Sequence, residues 1–172
     1  MENEYTLPPF LEFLKRNRED AGVMADLRCA LIPSREFRVW QYIARYCNLE
    51  DERERIIATT VAAAFGIQPE CGSGTENIGD VMRRIAYGES GKEGLSSYAL
   101  RFQRLLACDT VGETSQQLHG IFKAAKSRGI PINHAVLWQD LHYWGERVKR
   151  RWAVHYWGTA GKETQEGDVV DE

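Results

Sequence analysis

Apolar residues recur at three- and four-residue spacing along nearly every segment of the chain, and no alternation of apolar and polar positions is long enough to argue for a strand. The pattern predicts an all-α fold, a helical bundle of roughly eight or nine helices in two packed halves. Pro8 and Pro9 open a first helix through Phe10, Leu11, Phe13 and Leu14. A short second helix runs through Val23, Leu27 and Leu31 and ends at Pro33, and Ser34 is placed to cap a third bearing Phe37, Trp40, Ile43 and Cys47. Glu50, Asp51 and Glu52 sit where acids favour a helix start, and Gly66 stands where that helix should stop. Its most apolar part, Ile56 to Ile67, contains Thr59 and Thr60 and falls well short of the ~20 residues a membrane span needs, so it reads as a core helix. A loop follows through Pro69 and Gly72-Ser73-Gly74, and Asn77 can cap a short helix through Val81, Met82 and Ile85 that ends at Gly88.

Glu89 to Gly94 is glycine-rich and is the expected hinge between an N-terminal helical half, residues 1–88, and a C-terminal half, residues 95–158. The second half reads as helices from Leu95 to Ala107, from Glu113 to Arg128 with Gly129-Ile130-Pro131 as the break, and from Asn133 to about Trp157 with Gly145 bending or dividing the last. Residues 159–172 are polar and acidic, the pattern of a disordered tail. No internal repeat of fixed period is present.

Charge changes this picture. With 22 Lys plus Arg and 25 Asp plus Glu the formal charge of the 172 residues is -3. Glu163 to Glu172, however, hold five acids and no base, and Met1 to Glu4 add two acids. Without those ends 22 bases face 18 acids, and from Met82 to Arg151 twelve bases face six acids. The body is basic, and 16 of its bases are Arg, whose planar fork suits phosphate oxygens.

The chain is long enough to fold without disulfides or a structural metal. Cys29, Cys47, Cys71 and Cys108 form no CxxC pair and read as reduced thiols. The segment from Met1 to Pro9 has no basic n-region or apolar h-region, so no signal peptide is expected and the reading is cytoplasmic, with no membrane partner. His119, His134, His142 and His155 are scattered without an HExxH-type partner, and neither Gly72-Ser73-Gly74-Thr75 nor Gly91-Lys92-Glu93-Gly94 has the setting of a phosphate-binding loop. No metal, cofactor or catalytic set is expected, so the reading is not that of an enzyme. A nuclease would need clustered carboxylates for metal, and Glu50 to Glu54 is better explained as a helix start with Arg53 and Arg55 as partners.

The candidate chemistry is phosphate binding. Arg101 and Arg104 lie one turn apart on a face beside Phe102, Leu105 and Leu106, a spacing that lets two guanidiniums grip adjacent phosphates. Lys123, Lys126 and Arg128 gather at the end of the next helix, and Arg147, Lys149, Arg150 and Arg151 put four bases in five positions beside the core stripe of Trp138, Leu141, Val148 and Trp152. Arg38, Arg45, Arg83 and Arg84 are weaker candidates. The alternative for Arg101 and Arg104 is a solvated face or salt bridges to neighbouring helices, and for Arg128 and the cluster on the last helix it is cations completing a helix C-terminus. Tyr143, Trp144, His155, Tyr156 and Trp157 could stack bases, although aromatics at helical spacing are more often core or interface.

These segments carry a resemblance. Arg-Phe-Gln-Arg-Leu-Leu-Ala at 101–107, the turn from Lys126 to Pro131, Leu137-Trp138-Gln139-Asp140-Leu141, Trp144, and the run from Val148 through Trp152-Ala153 to Trp157-Gly158 resemble the CasB family, the small subunit of the type I-E CRISPR surveillance complex Cascade. Weaker echoes run through Phe37 to Trp40 and Ile56 to Ala64. The resemblance implies an all-helical, non-catalytic subunit in antiviral defence whose partners are other Cascade subunits, guide RNA, target DNA and a second copy of itself. It implies contact with the target and displaced strands that stabilises the R-loop, with Arg101, Arg104, Lys126, Arg128, Lys149, Arg150 and Arg151 touching phosphate. The alternative is a structural subunit whose Arg and Trp faces serve only protein packing. The acidic tail, peculiar to this sequence, suits a competitor for the basic face.

Overall fold

The computed structural model describes residues 7–158, and the expectation for the acidic tail lies outside them. Among the described residues eight α-helices follow one another: α1 (Pro9–Arg16), α2 (Ala21–Arg28), α3 (Phe37–Ile43), α4 (Glu52–Ile67), α5 (Ile78–Leu106), α6 (Val111–Ser127), α7 (His134–His142) and α8 (Glu146–Ala153). A π-helical turn, Val154–Gly158, extends α8. The all-α class is as expected, and among the described residues the only strand-like pairing is an isolated bridge between Cys71 and Ile132. No helix among them is long and apolar enough to cross a membrane.

α4 is the axis of the bundle because its residues from Ile57 to Gly66 are small or apolar all round and are all buried. It packs on α2 and α3 on one side and on α6 and α7 on the other, so one core joins the two expected halves. α4 and α6 run parallel. Gly112 approaches Ile56 at their starts, the Thr60 and Ser115 hydroxyls meet at 2.7 Å midway, and Gln68 donates to the Ile130 carbonyl at 2.8 Å beyond their ends. α8 and the π-helical turn close the other side of α5: Trp152 and Tyr156 are fully buried, and Tyr156 stacks on Phe102 with ring centroids 4.3 Å apart. Burying such side chains contributes about 1.5–3 kcal/mol each.

Several boundaries differ from the expectation. Ser34 caps nothing, since the amides of Arg35 and Glu36 already turn onto the Ile32 carbonyl and α3 begins only at Phe37. Gly66 does not stop α4, which continues through Ile67. Its bare Cα instead admits α2, because a Cβ there would sit 2.6 Å from the Arg28 amide nitrogen. The two helices expected around residues 78–106 form one element, whose backbone nonetheless leaves helical values at Ser90 (φ -152, ψ 27) and Gly91 (φ 59, ψ -135). Gly91 lies in the left-handed region that favours glycine. The last expected helix is divided at Gly145 into α7 and α8.

Candidate nucleic-acid interface

On the C-terminal part of α5, Tyr98, Phe102 and Leu105 are buried, and that register turns Arg101 and Arg104 outward. Both are exposed, neither has an acidic partner among the described residues, and the Arg101 guanidinium lies 5.5 Å from the centre of the Tyr98 ring. With Gln116, Gln117 and Gly120 of α6 they line a cleft of about 400 Å³. The cleft offers hydrogen-bond donors from two guanidiniums and two amides, the donor set that positions phosphodiester backbones.

Lys123 and Lys126 face the other side of α6. They line a groove of about 630 Å³ with His119 and with Arg18 and Arg28, over a floor that includes Met24, Ile67 and Pro69. Lys123, Lys126, Arg18 and Arg28 are all exposed and have no ion pair among the described residues; the one acid in the groove is Glu19. Burial, and next the charge of Lys123, push the His119 imidazole below its ordinary value. Arg18 and Arg28 were not singled out from the sequence. They lie 105 and 95 residues from Lys123 in sequence, and only the packing of α2 on α4 brings them there; Gly66 in the buried stretch of α4 is the trace that this packing leaves in the sequence.

The remaining candidates divide. Arg128 pairs with Glu89 in a third cleft that includes Arg83, Arg84 and Tyr87. There Arg84 faces Glu76 at 3.9 Å and Arg83 donates to the Tyr156 carbonyl at 3.2 Å. Lys149 is buried: its ammonium reaches Asp109 at 3.3 Å and Glu146 at 3.7 Å and lies 5.7 Å from the centre of the Trp144 ring. It ties α8 to the α5–α6 loop and has left the surface. Arg151 meets the buried Asp140 at 3.2 Å, and Asp140 also accepts from Trp152 Nε1 at 2.7 Å. Burial raises the Asp140 carboxyl, against the opposing pull of Trp152 and Arg151. Arg147 and Arg150 are exposed and free of ion pairs among the described residues, but they line neither the α5–α6 cleft nor the α2–α6 groove. Of the late aromatics, Tyr156 is core, Trp144 donates to the Cys108 carbonyl at 3.1 Å, and Tyr143 and Trp157 remain exposed.

One thiol–imidazole pair has the spacing of a nucleophile and its base. Cys71 Sγ lies 3.4 Å from His134 Nδ1, while His134 Nε2 is 2.9 Å from the Gln68 carbonyl. A carbonyl only accepts, so Nε2 carries the proton and Nδ1 accepts from the thiol. Burial lowers the His134 pKa to about 4, an environment that resists the imidazolium a base must become. The pair fastens the loop at Cys71 to the start of α7.

The profile of the CRISPR-associated protein Cse2 family matches residues 23–157, from α2 to the π-helical turn. The chain belongs to the Cse2 family. Cse2, also called CasB, is the small subunit of the type I-E complex, which makes this chain a CRISPR Cascade subunit. A crystal structure of M. ruber CasB shares the fold at 22% sequence identity, covering 91% of this chain and 94% of that one with a TM-score of 0.67. No curated protein matches the sequence. The Cse2 match takes in the whole lining of the α5–α6 cleft and, in the α2–α6 groove, every cation except Arg18.

Proposed function

We propose that this Cse2-family chain is a non-catalytic, cytoplasmic subunit that holds nucleic-acid backbone within Cascade. In this reading it contacts the target and displaced DNA strands beside the guide RNA, works alongside a second copy of itself, and stabilises the R-loop. The observation that carries it is the pair of cation-lined clefts flanking α6, whose exposed Arg101, Arg104, Lys123, Lys126, Arg18 and Arg28 form no ion pair among the described residues. Exchanging a DNA duplex for an RNA–DNA hybrid is nearly balanced in energy, so a few phosphate contacts on the opened strands decide whether it proceeds. Sequence reading stays with the guide, since guanidiniums on helix faces grip phosphates of any sequence.

Binding of single- and double-stranded DNA by the full chain, measured across a salt series, tests this. Affinity should fall steeply as salt rises. Arg101→Ala with Arg104→Ala should weaken binding uniformly across sequences and make the dependence of log affinity on log salt shallower by about one for each phosphate no longer gripped. Affinity that is absent at low salt, or indifferent to salt, overturns the proposal.

A protein-packing role has its own support on α3, where Phe37 and Trp40 are 58% and 41% exposed on one face. Large aromatics left in solvent suit an interface with another subunit. Phe37→Ala with Trp40→Ala should impair assembly into Cascade and leave the DNA affinity of the free chain intact.

A further inference from the structure

Gly120 sits in the middle of α6 on its exposed side, while Leu118, Ile121 and Phe122 around it are buried. A glycine in a helix interior is unfavourable relative to alanine, so it calls for a compensating use. Close packing supplies that use at Gly66, and also at Gly79, where a Cβ would lie 2.2 Å from the Trp152 carbonyl oxygen. At Gly120 nothing beyond the neighbouring residues and backbone of α6 itself lies within 4 Å of the place a Cβ would take. The bare backbone therefore serves nothing inside the fold, yet it forms part of the α5–α6 cleft beside Arg101, Arg104, Gln116 and Gln117. One turn on, Lys123 opens the groove on the opposite side of the same helix.

Resting on the nucleic-acid reading above, we infer that a single strand crosses α6 at Gly120. It runs from Arg101 and Arg104 to Lys123, Lys126 and Arg28 with its sugar-phosphate backbone against the helix. Cations stand on both flanks of the ridge, so the ligand is a continuous polyanion rather than an isolated anion in one cleft. An α-helix with its side chains is about 10–12 Å across, a width that about two or three phosphates of a flexible strand can drape over. A duplex, with a persistence length of ~50 nm, cannot bend over so narrow a ridge. A side chain at residue 120 would lift the strand off the helix and loosen its grip on both sets of cations.

The test uses the full chain with Gly120→Ala and Gly120→Leu, a mixed-sequence single-stranded oligonucleotide, and the matching duplex at one fixed salt concentration. Thermal denaturation should show both variants folded, with Gly120→Ala unchanged or raised by about 2–4 °C. Single-strand affinity should fall by about 3-fold for alanine and ~10-fold for leucine, with duplex affinity unchanged. If the parent chain binds DNA in a salt-dependent way and both variants bind the single strand equally well, the crossing is overturned and the broader reading stands. Equal losses on single strand and duplex also overturn it, because they remove the draped strand. If the parent chain binds neither form, both proposals fall.

Discussion

Four bases within five positions of α8 meet three different fates, and the core stripe decides which. Val148 and Trp152 point inward, so Lys149 and Arg151 stand on the two flanks, where each finds an acid, while Arg147 and Arg150 point away and find none among the described residues. The sequence shows the stripe and the density of charge, but it cannot show that Asp109 and Asp140 wait on the flanks. Lys149→Ala is therefore expected to cost about 1–2 kcal/mol of stability, through the missing ion pairs and the lost approach of the ammonium to the Trp144 ring, and to leave DNA affinity unchanged. Urea denaturation and a DNA titration of the same sample check both halves. At His134 the folded pKa of about 4 lies below the ordinary 6.5, so on acidification the unfolded chain takes up a proton that the folded chain refuses. The stability this confers is complete above pH 6.5, is lost progressively as pH falls towards 4, and amounts to about 3 kcal/mol. His119 acts in the same direction, whereas the raised Asp140 takes its proton earlier in the fold and acts in the opposite one. The slope of melting temperature against pH between 7 and 4.5 should be distinctly flatter in His134→Gln, and an equal slope in parent and variant would rule this linkage out.

Among the elements, periodicity revealed where helices lie because each buries one stripe, but their ends depend on groups that a stripe does not record. Asn77 was legible as a cap, and its amide oxygen receives the Gly79 amide at 2.8 Å. Thr110 was missed: it starts a Thr-x-x-Glu box that closes reciprocally with Glu113 and begins α6 two residues before the expected start. Ser34 carried the same local signal and lost to turns already closed on the Ile32 carbonyl. Gly66 shows why a glycine near a helix end is ambiguous: the residue type that stops one helix also admits the backbone of another, and only the packed partner distinguishes the two roles. Gly66→Ala should drive α2 away from α4 and cost about 1–3 kcal/mol as overpacking. It should also weaken DNA binding, because Arg28 leaves the groove with α2, whereas an affinity that survives the loss of stability would show that the α2 side carries no strand.

For the molecule as a whole, the parallel course of α4 and α6 converts helix chemistry into a charge gradient. Asp51, Glu52, Thr110 and Glu113 cap or flank the two N-termini at one end, with Asp109 beside them, and Lys123, Lys126 and Arg28 gather at the other. Each placement satisfies its own helix dipole, and under the proposed function the cationic end is the one that draws phosphate. The cation-rich body was legible by counting along the sequence, but the gradient was not, since it needs two helices distant in sequence to run side by side. The acidic segment after Gly158 is expected to act on the same field. Residues 1–158 contain 21 bases and 20 acids, so removing residues 159–172 changes the formal charge from -3 to +1. Truncation after Gly158 should therefore raise affinity for non-specific DNA several-fold at low ionic strength. The gain should fade as salt shortens the screening length towards ~3 Å at 1 M. Because the change is electrostatic, a version of the tail with its five acids replaced by their amides should behave like the truncation. If the truncated and amide versions instead bind non-specific DNA with the affinity of the full chain at low salt, the segment does not compete with phosphate for the cationic end.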